Sequence, residues 1–286
     1  MNKYAELKQK YPQKKLNING TDFPFRYFKN EKSDKTIVFL TGGIGLSDLF
    51  LPHFDEFAKS YSVLSFDYPI AFADNRQLVD AIAELLKQLG IKAFLVGQSL
   101  GGFIAQMLAQ KHPDVVEGMV LSNTGTLSVD LDERGVKHFY EMKKQVDKSL
   151  LAVKLIPFWI IKRIVRSAVI KNLESKLTEQ EKIFLTEYCD GIVNTLTKKY
   201  EIHMSMLLRD LENNWNMKKS DFLKYEGKVL LLLSDDDSTF NDSIKNALVE
   251  IMPNPKVITD IRGGHLALLL KMERFIRVIR DFADSR

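Results

Sequence analysis

Short, unbroken apolar runs separated by helical stretches constrain this chain more than any other feature. The run Thr36-Ile37-Val38-Phe39-Leu40 leads into Gly42-Gly43, and comparable runs follow at 63–66, 93–96 and 118–122. Helical periodicity fills 48–59, 75–89 and 100–111 between them. A strand with one wet face alternates polar and apolar residues. A strand buried on both faces does not, so runs of this kind belong in a parallel sheet covered by helices. The regular alternation predicts an α/β chain on a doubly wound, mostly parallel sheet. Candidate strands at 15–18 and 23–28 precede the first run, and the polar, lysine-rich first fifteen residues read as a mobile arm or a short helix.

The alternation stops at Asn123 and resumes at Lys228-Val229-Leu230-Leu231-Leu232-Leu233. Helical patterns at 133–148, 158–173, 179–188 and 195–213 fill the gap. Strands of one sheet flank them. The expected organisation is therefore a core of 1–123 and 228–286, with a helical cap at 124–227 inserted between two strands. A helix at 244–252, a strand at 257–261 and a last helix at 266–282 complete the core.

Gly97-Gln98-Ser99-Leu100-Gly101 lies between the strand at 93–96 and the helix beginning at Leu100. A strand-to-helix turn this tight strains the serine backbone and lifts its hydroxyl clear of the sheet, and the flanking glycines avoid clashes with the neighbouring strand and helix. A serine hydroxyl needs an adjacent base held by a third group. Of the five histidines, His53, His138 and His203 fall in helical segments and His112 sits at a helix end before Pro113. His265, in Ile261-Arg262-Gly263-Gly264-His265, follows a late strand. Loops at the carboxyl ends of parallel strands share one edge, which puts His265 beside Ser99. The strand at 230–233 runs into Ser234-Asp235-Asp236-Asp237-Ser238, so any of three aspartates can supply the acid.

The motifs Thr41-Gly42-Gly43, Gly97-Gln98-Ser99-Leu100-Gly101-Gly102, Ser234-Asp235-Asp236-Asp237 and Gly263-Gly264-His265 together resemble the α/β-hydrolase fold superfamily. The resemblance spans nearly the whole chain after residue 15, and the order serine, aspartate, histidine agrees with it. In that family a small residue at the strand end is often followed three positions later by the acid; on Ser234 this selects Asp237, with Asp235 and Asp236 as alternatives. The resemblance further implies an oxyanion hole from the backbone N–H of Leu100 and of Gly43 or Ile44, with Thr41 where the family often has histidine. Asp67-Tyr68-Pro69-Ile70 lacks the glycine often found in the family's next turn. Within the superfamily, Phe66-Asp67-Tyr68-Pro69, Ser99-Leu100-Gly101-Gly102-Phe103 and the segment 156–164 look similar to maspardin-like proteins, some of which are thought to bind partners without catalysis.

Competing motifs fare worse. Asp235-Asp236-Asp237-Ser238-Thr239 also fits D-x-D-x-T of haloacid-dehalogenase-like phosphatases, but only 47 residues follow Thr239, too few for the rest of such a domain. Gly43-Ile44-Gly45 is not completed as a dinucleotide loop, because Asp48 occupies the third glycine position. There is no H-E-x-x-H and no Cys/His cluster, so neither metal nor cofactor is expected. Halide- and epoxide-cleaving relatives would carry aspartate at position 99.

Composition bounds the partners. Lysine plus arginine is 41 against 37 acidic residues, and a net +4 over 286 residues does not argue for nucleic acid. The single Cys189 cannot form an intramolecular disulfide and no apolar leader opens the chain, so a reducing, cytoplasmic setting is expected. The longest apolar runs are too short for a transmembrane helix. In 158–173, Ile160, Ile161, Ile164, Val165 and Ala168 share one helical face, while Lys162, Arg163 and Arg166 cluster on the other. This reads as a lid helix with Phe158, Ile161 and Val165, together with Ile44, around the substrate; a helix lying on a membrane surface is the alternative. The expected function is a serine hydrolase that cleaves an ester or thioester of a small to medium hydrophobic substrate through an acyl-enzyme. A maspardin-like, non-catalytic binding module on the same fold is the alternative.

Overall fold

Every residue of Thr36–Leu40 is buried, as are those of Ser62–Phe66, Ala93–Gln98 and Val229–Leu232. These strands carry core on both faces. Val38, Leu40, Leu64, Phe66 and Leu95 pack into one apolar layer, while Ile37, Phe39, Val63, Phe94 and Val96 pack into another. The period-two side-chain alternation of a strand thus feeds two layers at once, which is why Ser65 is the one polar residue inside these four runs.

The computed structural model describes residues 3–173 and 178–286. The strands are β1 (Lys14–Ile18), β2 (Thr21–Phe28), β3 (Thr36–Leu40), β4 (Ser62–Phe66), β5 (Ala93–Gln98), β6 (Val116–Ser122), β7 (Val229–Leu232) and β8 (Lys256–Ile258). They form one sheet in the order β1-β2-β4-β3-β5-β6-β7-β8, in which only the pairings of β2 with β1 and with β4 are antiparallel. The helices are α1 (Lys3–Lys10), α2 (Leu51–Phe57), α3 (Asn75–Gln88), α4 (Leu100–Lys111), α5 (Glu133–Leu155), α6 (Phe158–Leu173), α7 (Glu179–Thr195), α8 (Lys198–Asp210), α9 (Asp242–Ile251), α10 (Ala267–Leu270) and α11 (Met272–Asp284). Residues of α3, α4 and α9 bury against one face of the sheet, and those of α2 and α11 against the other.

After β3 the chain steps outward to β4, then returns to the other side of β3 as β5 and continues through β6, β7 and β8. The winding direction therefore reverses between β3 and β5. Beyond the carboxyl ends of these two strands lies the crevice that an open α/β sheet leaves for a ligand.

Between β6 and β7 lie α5, α6, α7 and α8. The base of this segment is stitched together where Ser128 and Met217 form an isolated parallel bridge and the Met217 N–H donates to Leu127 O at 3.1 Å. Thr178 opens α7 with a capping box, its hydroxyl accepting from Glu181 N while the Glu181 carboxylate accepts from Thr178 N.

Of the two readings of the first residues, the short helix is the one found: Tyr4 and Leu7 of α1 are buried, and the Tyr4 ring meets Tyr188 of α7 edge-on at 5.5 Å. One element differs from the sequence expectation. The last helix is broken at Lys271 (φ −130°, ψ 40°). Ala267–Leu270 is apolar and buried on all sides, whereas α11 buries one stripe of Phe275, Ile276, Ile279 and Phe282. One straight helix could not seat both. Among the described residues, no helix is long and apolar enough to cross a membrane.

Candidate active site

Ser99 stands in the one-residue turn between β5 and α4, with φ 52° and ψ −119°. The turn closes because a Cβ on Gly97 would collide with the backbone of Gly101, and a Cβ on Gly101 with the backbone of Leu40. Two strands along the sheet from β5, β7 runs into the three aspartates, and the chain after β8 turns back through Gly263 and Gly264 to His265. Gly264 has φ 59°, a conformation glycine adopts without cost.

These segments meet at the serine. Ser99 Oγ lies 2.9 Å from His265 Nε2, and His265 Nδ1 lies 3.0 Å from Asp237 Oδ2. With the Nδ1 proton directed at Asp237, Nε2 is left to accept the serine proton. The Asp237 side chain is 1% exposed and that of His265 29%. Burial alone would raise the Asp237 pKa. The hydrogen bond and charge of His265, with the Thr239 N–H at 2.8 Å from Oδ1 and the Thr239 hydroxyl, outweigh it and hold the carboxyl below its ordinary value.

The other two aspartates do different things. Asp235 makes a bidentate pair with Arg262 at the surface, at 2.9–3.1 Å. Asp236 accepts from the N–H groups of Gly263 and Gly264 at 2.9–3.1 Å. It fixes the loop that carries the histidine. Sequence reasoning missed two further supports of that loop. The Gln98 amide donates to His265 O at 3.3 Å and stands 3.4 Å from His265 Nε2. Asn123, held at φ 41°, donates to Gly264 O and accepts from Ser234 N, both at 2.9 Å. The available signal was polarity: both residues end apolar strands that pack on two faces.

The loop after β3 forms the opposite wall. Its backbone is pinned by Tyr68, whose hydroxyl donates to Thr41 O at 2.8 Å, and by Tyr200 of α8, whose hydroxyl donates to Gly45 O at 2.7 Å. Gly43 of this loop lines the cavity beside Ser99. Leu100 opens α4, so its N–H belongs to the first turn, where helix geometry supplies no internal acceptor.

The cavity over Ser99 has a volume of about 180 Å³. Apart from Ser99, His265 and Gln98 it is apolar, walled by Ile44, Leu49, Val165, Ile192, Val193 and Leu269. Cys189 also faces it; burial, then the nearby Asp190 charge, pushes its thiol up to about 11, so it is a neutral wall. Of the residues expected around the substrate, Ile44 and Val165 line this cavity. Phe158 and Ile161 do not line the cavity. Among the described side chains of α6, only Val165 reaches it; α7 packs alongside and presents Cys189, Ile192 and Val193, spaced as one helical face. The side chain of Ala168 lies outside the described residues.

The remaining histidines are engaged elsewhere. His53 is fully buried with Nε2 3.0 Å from Leu268 O, and burial lowers its pKa to about 4. His112 meets Asp80 at 2.7 Å and His138 meets Thr239 O at 2.8 Å, while burial lowers the pKa of His203. Among the described residues no three His, Cys, Asp or Glu side chains converge on a possible metal position.

The sheet order, the crossover at β3/β5 and the serine elbow agree with two comparisons. A family model described as alpha/beta hydrolase fold matches residues 35–162. A hydrolase from Pseudomonas aeruginosa superposes with a TM-score of 0.72 over 95% of this chain and 98% of its own, at 16% identity. This is the α/β-hydrolase fold. An enol-lactonase from Burkholderia xenovorans LB400 also has it, with a TM-score of 0.70, 18% identity and coverage of 95% and 100%. By sequence, the chain is similar to ethanol acetyltransferase 1 of Cyberlindnera jadinii, 21% identical over 90% of this chain and 82% of that protein.

Proposed function

We propose that the protein is a serine hydrolase of the α/β-hydrolase type, acting on carboxylic esters or thioesters with a compact hydrophobic acyl group. The observation that carries this reading is the continuous hydrogen-bonded chain Ser99–His265–Asp237 at the floor of an apolar cavity. His265 takes the Ser99 proton as Oγ attacks the carbonyl carbon. Asp237 holds the imidazole in the required tautomer and stabilises the imidazolium. The N–H groups of Leu100 and Gly43 receive the oxyanion, a contribution of about 3 kcal/mol per donor in comparable sites. His265 then protonates the leaving group, and water attacks the acyl-enzyme by the reverse sequence.

The helices within 124–227 act as the cap that completes the pocket, through Val165 and α7. A dry cavity of roughly 150 Å³ holds a benzene-sized group, so 180 Å³ favours acyl groups of about six carbons. Nitrophenyl esters of increasing chain length test this: turnover should rise to about six carbons and then fall. Steady activity on long chains would refute the size argument. The similarity to an acetyltransferase makes an alcohol a second acceptor to include, since it can intercept the same acyl-enzyme.

Labelling by a fluorophosphonate tests the chemistry, since only an activated serine reacts fast. Rapid labelling lost in Ser99→Ala supports the reading. An unlabelled Ser99 would instead favour a non-catalytic, maspardin-like binding module.

A further inference from the structure

The corner where α5 meets α6 presents large apolar side chains to solvent. Leu155 is 74% exposed, Trp159 62%, Leu151 57% and Ile164 56%. Leu151 and Leu155 lie one turn apart on α5. Pro157 breaks the helix after Ile156, and Trp159 follows in the first turn of α6. Lone exposed apolar residues are ordinary, but Leu151, Leu155 and Trp159 at this corner, with Ile164 farther along α6, are a concentration of the kind that marks an interaction site.

The charge around the patch is one-sided. Residues 143–171 contain eight lysines and arginines and a single acid, Asp147, a net +7 within a chain whose total is +4. Lys144, Lys148, Lys154, Arg163 and Arg166 are exposed. Asp147 is already paired with Arg209 at 3.0 Å, and Arg166 with Asp190.

We infer that this corner docks on a bilayer surface carrying anionic phospholipid. An amphipathic segment with tryptophan and leucine beside lysine and arginine is built for the headgroup boundary: the apolar tips enter it and the cations meet the lipid charge. The same charge disfavours a second copy of this chain as the occupant. A two-fold contact would press the patch, with its +7, against itself. On α6, Ile164 points out while the adjacent Val165 lines the cavity, so the docking face and the cavity wall share one helix. The inference concerns a surface and does not rest on the serine chemistry.

The full chain is sedimented with vesicles of phosphatidylcholine alone and of phosphatidylcholine with phosphatidylglycerol, at low and high salt. Binding to the anionic vesicles should be at least about tenfold stronger, should weaken with salt, and should be lost in Leu155→Glu/Trp159→Glu with the melting temperature unchanged. Tryptophan emission should shift to the blue on binding, and Trp159→Phe should remove the shift, since the other tryptophan, Trp215, is half-buried and donates to Ser128 O. Equal binding to both vesicles, no binding to either, or binding that survives the double variant overturns the inference. So does a dimer in light scattering that the double variant abolishes without any vesicle binding, which would make the face a protein interface.

Discussion

Replacing Ser99 by glycine should stabilise the protein relative to alanine at the same position, although both variants lose the proposed nucleophile. Ser99 is held at φ 52° and ψ −119°. Its mirror image lies near ordinary extended backbone, which glycine reaches on either side, whereas a residue with a Cβ is strained there by about 1–3 kcal/mol. Glycine gains extra freedom in the unfolded chain, which offsets roughly 0.5–1 kcal/mol of that. The difference between the variants isolates the backbone, because the bond to His265 Nε2 is gone in both. Glycine should therefore win by about 0.5–2 kcal/mol, or a few degrees in melting temperature. At an ordinary helical position the same change loses about 1 kcal/mol, so the sign is diagnostic. Urea and thermal unfolding of the two purified variants decide it. A glycine variant no more stable than the alanine variant would refute the strain argument. Residual turnover in both would refute Ser99 as nucleophile.

The aspartates should separate by role. Asp237→Asn should lower kcat by about four orders of magnitude with folding intact, since the imidazole loses its orienting charge. Asp235→Asn, which loosens only a surface pair with Arg262, should be near wild type, and Asp236→Asn should fall between, as the histidine loop loses part of its anchor. The depressed Asp237 pKa carries a sign: its stabilisation is complete above the ordinary aspartate range near pH 4 and is lost as pH falls through the lower folded value. The stability gap between wild type and Asp237→Asn should thus be constant from neutrality to about pH 5 and shrink below pH 4 in urea titrations. Arg26→Met should destabilise by up to about 3 kcal/mol, because buried Asp48 would lose its buried cation at 2.6 Å and keep only the more exposed Lys8 at 3.0 Å and the Tyr4 hydroxyl, and Arg26→Met/Asp48→Leu should recover part of the loss.

How much of this was legible in advance follows the range of the forces involved. The strands were readable from their apolar runs, because a doubly covered strand leaves little room for polar residues and the run Thr36–Leu40 is buried throughout. The elbow was readable because part of its cause is steric and local: Gly97 makes room for the backbone of Gly101, four residues on, whereas Gly101 makes room for the distant Leu40. The order of Ser99, three aspartates and His265 along strand ends let the parallel sheet bring them to one edge, and Asp237 is the aspartate that meets His265.

Other features depended on distant partners. Nothing in the periodicity of α6 says that α7 will lie beside it and wall the cavity with Cys189, Ile192 and Val193, leaving Phe158 and Ile161 off the lining. Helical amphipathicity names a face, not the neighbour it meets. Tyr4 looks like part of a polar arm until the fold sets Asp48 and Tyr188 against it, 44 and 184 residues along the chain. Gln98 and Asn123 read as small breaks in apolar strands; only the return of the chain after β8 gives them His265 O and Gly264 O to hold. Local sterics and hydrophobic period, which act over a few residues, were written in the sequence itself. The packing of one helix on another and the pairing of polar groups across more than a hundred residues were decided by the tertiary fold, because those energies exist only once the chain has closed.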